Sequence, residues 1–205
     1  MNKIITLFTL FIFILNFSEI KAQDKDHPWQ ISFGANAVDV EADTNTSITE
    51  FFDVQGNWNV SKSPISMFSV SKYIGENFSF GIGASFNSIS KYATGLELSD
   101  VTNDYLSIDA MLKYDLSELL SIKILSTTFE PFIGVGPGWT FFDSQDGMTA
   151  NVSLGVNYWL TETFGVLVMS EYKHNLDDID ENYMLDEGGT MRWSLMFTIK
   201  FGKSE

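Results

Sequence analysis

From Trp29 onward, apolar and small polar residues alternate in blocks of strand length. Alternation with period two places two different surfaces on the two faces of a β-strand. Eight blocks carry it. Trp29 to Val40 sets Trp29, Ile31, Phe33, Ala35 and Ala37 against Gln30, Ser32, Gly34 and Asn36. A second block, about Ile65 to Ile74, has Phe68, Val70 and Ile74 on one face. Phe78 to Ile89 sets Phe80, Ile82, Ala84 and Phe86 against Gly81, Gly83, Ser85 and Asn87. Tyr105 to Asp115 sets Leu106, Ile108, Ala110, Leu112 and Tyr114 against Ser107, Asp109, Met111 and Lys113.

The fifth block, Phe129 to Phe142, sets Ile133, Val135, Trp139 and Phe141 against Glu130, Gly134, Gly136, Gly138 and Thr140. Pro131 and Pro137 argue against it, because proline donates no ladder hydrogen bond. Thr149 to Leu160 sets Val152, Leu154, Val156 and Tyr158 against Asn151, Ser153, Gly155 and Asn157. Phe164 to His174 sets Phe164, Val166, Val168 and Tyr172 against Gly165, Leu167, Met169, Glu171 and Lys173. The last block, Met191 to Phe201, sets Trp193, Leu195, Phe197, Ile199 and Phe201 against Arg192, Ser194, Thr198 and Lys200.

Connections 75–77 and 161–163 are short, and 116–128 is long enough for one helical turn through Leu116, Leu119, Leu120 and Lys123. Connections 41–63, 90–103, 143–148 and 175–190 are read as loops at the other end. This is the spacing of an all-β, eight-stranded antiparallel up-and-down barrel. Two barrels share the pattern: a soluble one with its apolar face inward, and a transmembrane one with it outward. A solvated outer face is normally rich in Lys and Glu. Here the polar face is Gly, Ser, Asn and Thr with single charges at Asp109, Lys113, Glu130, Glu171, Lys173, Arg192 and Lys200. Small residues with a few opposed charges suit a narrow lumen where charges pair. Glu171 is expected to meet Arg192 there, and Lys113 and Glu130 to lie together near the other end. Aromatics at both strand ends, Trp29, Tyr73, Tyr114 and Tyr158 against Trp139, Tyr172 and Trp193, resemble interfacial girdles. The transmembrane reading is therefore preferred, with Trp193, Leu195, Phe197, Ile199 and Phe201 of the closing strand facing lipid.

The 205-residue chain carries 27 Asp and Glu against 12 Lys and Arg, a net charge of −15, and no cysteine. That composition excludes disulfides, thiol nucleophiles and a lipidated cysteine. It also disfavours nucleic-acid binding, which needs a basic face. Residues 1–22 have the layout of a secretory signal peptide: Lys3, an apolar run Ile4 to Phe17, and a polar stretch ending at Ala22. The run is shorter than a spanning helix requires. The expected division is a leader over 1–22 and one barrel domain over 23–205, with both mature termini in the periplasm of a diderm bacterium.

The segments WQISFGANAVDV, SPISMFSVSKYIGENFSFGIGASFN, EPFIGVGPGWTFFD, NYWLTETFGVLVMSEYKH and WSLMFTIKF cover nearly the whole expected mature chain. They resemble the amino-terminal β-barrel of the OmpA family of outer-membrane proteins, in the form common in Bacteroidota. WSLMFTIKF also resembles the carboxy-terminal insertion signal of such barrels. The resemblance implies outer-membrane location and lipid as surroundings. Many family members continue into a peptidoglycan-binding domain; this sequence stops four residues after Phe201, so no wall-tethering role is expected.

Candidate chemistry is sparse. His27 lies in the amino-terminal segment, and His174 ends a strand beside Asp177 and Asp178. A general base at His174 would suit a lipid-modifying enzyme, but a histidine at the membrane interface explains it as well. The acids at 177–187 could bind Ca²⁺ yet lack EF-hand spacing. Gly134-Val135-Gly136-Pro137-Gly138 lacks the Lys-Ser/Thr and helix of a phosphate loop; its glycines are expected to leave room for side chains across the lumen. The chain is read as non-enzymatic, with no cofactor and no metal. Its expected role is structural or accessory in the envelope, with a protein partner engaged through the loops or the apolar 116–128 connection. A small-solute porin is the main alternative, and a lipid-modifying enzyme the second.

Overall fold

The computed structural model describes residues 26–42, 58–91, 103–120, 128–142, 145–176 and 189–202. The leader over 1–22, Lys123 and most of the acidic loop residues lie outside the described residues. The described strands are β1 (Trp29–Ala42), β2 (Asn59–Val60), β3 (Met67–Gly75), β4 (Phe78–Ile89), β5 (Asn103–Asp115), β6 (Phe129–Phe142), β7 (Gln145–Trp159), β8 (Phe164–Asn175) and β9 (Gly189–Phe201). Each long strand pairs antiparallel with its neighbour in sequence, and β1 pairs with β9 to close the barrel. Eight long strands thus form the wall, as the alternation predicts. The two-residue β2 extends it beside Ala37 and Val38 of β1.

Several expected boundaries are corrected: β1 runs on to Ala42 and β2 lies within the expected loop 41–63, while β5 begins at Asn103 and β9 at Gly189, inside the expected loops 90–103 and 175–190. The loop expected over 143–148 is shorter, because β7 already begins at Gln145, paired with Phe142. Asp146 and Gly147 looked like turn residues, but Gly147 sits opposite Thr140 and the Asp146 carboxylate accepts the Trp139 indole N–H at 2.7 Å. The second block starts at Met67, not near Ile65. Residues 61–65, with Pro64, leave the sheet, and Ser66 N–H rejoins it by donating to Gly34 O at 2.7 Å.

The β3–β4 hairpin turns on Glu76 and Asn77, both at positive φ (50° and 66°). That is the backbone a two-residue hairpin needs to match strand twist. Asn tolerates it, and Glu76 is the strained member. β6 keeps its full expected length despite its prolines. Its ladder with β7 is continuous, while the ladder with β5 lacks partners between the Asp109/Gly138 and Leu112/Val135 pairs. Pro137 lies in that gap and has no amide to offer. At Gly136 a Cβ would run into the Ala110 carbonyl, so β5 and β6 approach closely there.

The barrel is inverted relative to a soluble protein. Ser32, Asn36, Ser85, Ser107, Asn151 and Thr198 are buried, while Ile82, Leu154, Leu195 and Phe197 are 52–60 % exposed. An exposed apolar surface girdling the whole molecule far exceeds what a water-soluble monomer tolerates. On β9 the outward apolar residues run from Trp193 to Phe201. Eight steps of about 3.3 Å on a strand tilted about 40° rise roughly 20 Å, close to the apolar band of a membrane barrel. The fold is a transmembrane β-barrel.

Candidate functional site

The lumen holds the buried chemistry, and period two explains how it gets there. With the apolar parity facing outward, every residue of the opposite parity points to the axis. From the loop end downward, the inward residues of β9 are Arg192, Ser194, Met196, Thr198 and Lys200. Those of β8 are Lys173, Glu171, Met169 and Leu167, and those of β5 are Asp109, Met111 and Lys113. Charge, thioether and charge thus succeed each other along the axis.

The upper charged layer spans five strands. Glu171 and Arg192 are direct partners in the β8–β9 ladder. Arg192 Nη2 donates to Glu171 Oε1 at 2.5 Å and to Asp109 Oδ2 at 2.9 Å. Arg192 Nη1 donates to Ser85 Oγ at 2.5 Å and Ser107 Oγ at 2.8 Å. Lys173 Nζ is ion-paired with Asp109 and lies 3.8 Å from Glu171 Oε1. Asn151 Nδ2 gives Asp109 Oδ1 a further bond at 2.9 Å. Two carboxylates therefore face two cations, all four almost wholly buried. Charges so placed persist only when partnered and hydrogen-bonded. Gly138 makes room for them: a Cβ there would strike Asp109, Asn151 and Thr149.

Below this layer Met67, Met111, Phe132, Leu167, Met169 and Met196 form a buried apolar cluster. Gly134 accommodates it, since a Cβ would meet Met111 and Ser153. The cavity between the cluster and the ion network is about 20 Å³, roughly the room one water needs. Above the network, Val38, Ile89, Tyr105 and Phe142 form a second apolar cluster that caps the loop end.

At the turn end the expected layer is present: Lys113 and Glu130 both point inward and interact electrostatically. The ladder sets Lys113 opposite Gly134, while Glu130 sits opposite Asn157 on the other side of β6. Lys113 lies over the Phe132 ring at 5.0 Å. Glu130 accepts the Trp159 indole N–H at 2.6 Å, and Lys200 lies over the Trp159 ring at 4.3 Å. Met111 and Met169 lie on the face the alternation assigns to the lumen, whereas Trp159, Met67, Met196 and the apolar cap are not singled out by the sequence. Their signal was parity alone: each is a large residue in the small-residue register.

The five closing-strand residues Trp193, Leu195, Phe197, Ile199 and Phe201 point outward. His174 is exposed at the loop end, with Ala150 and Gly189 as its ladder partners. Among the described residues no cluster of His, Asp and Glu has the geometry of a metal site. In the 116–128 connection, Ser117–Leu120 forms one hydrogen-bonded turn, with Leu120 N–H donating to Leu116 O at 2.9 Å. Leu119 and Leu120 are 70 % and 54 % exposed.

A lumen lined by buried charges and methionines inside an apolar belt defines the class: a small transmembrane β-barrel. Solved structures of that class match it. The outer membrane protein OprG from Pseudomonas aeruginosa superimposes with a TM-score of 0.54 at 13 % identity, covering 88 % of this chain and 99 % of that one. Neisserial surface protein A gives 0.53 at 15 %, covering 84 % and 96 %. The outer membrane protein AlkL, determined in DMPC lipid bilayers, gives 0.53 at 13 %, covering 93 % and 97 %. At these identities the likeness is one of fold. No protein-family model and no curated protein matches the sequence.

Proposed function

We propose that this chain is a closed, non-enzymatic outer-membrane barrel of a diderm bacterium, with both mature termini in the periplasm. Its role is structural or accessory, and it acts through its surface rather than its interior. One observation carries the reading: the Asp109–Lys173–Arg192–Glu171 network crosses the lumen, with a cavity of about 20 Å³ beside it. Eight strands enclose an interior just wide enough for side chains, and here side chains occupy it. The resemblance of NYWLTETFGVLVMSEYKH to OmpA-family barrels of Bacteroidota supports the same location. The exposed pair Leu119 and Leu120 supports a periplasmic contact through the 116–128 connection. Planar-bilayer recording of the purified monomer tests the closed state. No stable unitary conductance is expected; a large, stable conductance would replace this reading with a porin.

A further inference from the structure

Sulfur is concentrated at one level of the lumen. Met67, Met111, Met169 and Met196 all line the cavity of about 20 Å³, and all four side chains are buried. The ladders bring them together. Gly34 of β1 faces Met67 on one side and Met196 on the other, and has no side chain to part them. Met196 sits opposite Leu167 of β8, so Met169, two residues along the same face, is its diagonal neighbour. Met111 reaches the group from β5. Its Sδ accepts the Ser153 hydroxyl at 3.0 Å, and Ser153 is the ladder partner of Glu171, two residues above Met169.

One acid borders the same void. Glu171 is fully buried and gives Oε1 to Arg192, while its Oε2 has no hydrogen-bond partner. A buried carboxylate oxygen without a partner is costly, and this one belongs to a residue that shares a cavity with four thioethers. Thioether sulfur is a poor hydrogen-bond acceptor but a soft metal ligand, and soft sulfur ligands favour Cu(I). The chain has no cysteine, so no thiolate competes. Its two histidines, His27 and His174, stand before the first strand and at the end of β8, outside the cavity lining. Lys113 and Arg192 also border the cavity, which disfavours a divalent ion more than a monovalent one. A void of one water's size admits a bare ion and excludes a hydrated one.

We propose that this cavity binds one Cu(I) ion through the sulfurs of Met67, Met111, Met169 and Met196, with the free Glu171 oxygen as its counter-charge. Ser153 occupies one lone pair of the Met111 sulfur and leaves the other for the metal. Binding is coordination alone, with no change of oxidation state. The ion ties β3, β5, β8 and β9 together across the axis. It is therefore a structural part of the plug, and the inference goes beyond the closed-barrel reading.

Folding the full barrel into detergent under ascorbate, with Cu(I) supplied as its bicinchoninate complex, tests it. One copper per barrel should survive desalting, and Zn(II) offered in the same way should be lost. Copper K-edge absorption should show sulfur neighbours and no nitrogen. Met169→Leu and Met196→Leu nearly conserve volume, and each should weaken copper retention against the chelator about tenfold or more. Met148→Leu, at an outward methionine that is 39 % exposed, should leave retention unaltered. Bound copper should also raise the temperature at which the gel mobility shifts, in the wild type and not in Met169→Leu/Met196→Leu. The same gel confirms that each sample is folded, and the absorption spectrum needs no variant. A folded wild type that retains no copper, a nitrogen shell around the metal, or equal retention in the folded double variant would overturn the site.

Discussion

Replacing Arg192 by Met keeps much of the side-chain volume and removes the charge on which the lumen converges. In the native barrel Asp109 and Glu171 face Lys173 and Arg192, a neutral set of four. After the substitution both carboxylates share Lys173. Breaking a buried pair by removing one partner costs about 3–5 kcal/mol. The hydroxyls add little, because Ser85 and Ser107 keep each other at 2.9 Å. Lipid around the wall and apolar clusters above and below the network place the expected loss toward the upper part of that range. The double variant Arg192→Met/Glu171→Gln should be the more stable of the two, by about 2 kcal/mol, because Asp109 and Lys173 are left as a matched pair. Urea unfolding from phospholipid vesicles, followed by tryptophan fluorescence and by gel mobility, measures both. A loss under about 1 kcal/mol in the single variant would mean that water, not protein, supports these charges. A double variant less stable than the single would refute the charge-matching argument.

Leu195→Arg, on an outward position that is 60 % exposed, should cost about 2–4 kcal/mol in the same vesicle assay; a cost equal to that of Arg at an exposed loop site would point to a soluble barrel. Gly138→Ala should cost about 1–3 kcal/mol by forcing a methyl group against Asp109, Asn151 and Thr149, and a neutral result would show that the network can shift sideways. Epitope tags inserted near Asp180 should be labelled on intact cells and tags near Glu162 should not; the reverse pattern would invert the proposed topology.

The wall was legible because each of its positions has two possible environments, and these alternate along most of each strand. Strands Phe78–Ile89 and Phe129–Phe142 are found with the bounds the alternation predicts. The Glu171–Arg192 contact was legible for the same reason, since the two residues face each other on adjacent strands. Contacts across the lumen follow a different geometry. Strand tilt and shear decide which inward residues meet, and neither is written in a single strand's pattern. Asp109 of β5 therefore reaches Lys173 of β8 and Arg192 of β9, 64 and 83 residues away, although parity alone says only that all three point inward.

That difference bears on where function resides in so small a barrel. An interior crossed by a balanced set of charges can be exchanged for other space-filling solutions without altering the outer surface, because the wall separates the two by parity. The outer surface has no such freedom wherever the ladder breaks. At Ser61–Ile65 the chain leaves the sheet, and Asn36, Asn59 and Asn87 replace its backbone partners with side-chain amides. A backbone group left unsatisfied next to lipid costs several kcal/mol, so such a seam persists only with those amides in place. A continuous β3 would have satisfied the same groups with backbone alone. The costlier solution is the one that leaves the wall with a surface other than uniform hydrocarbon.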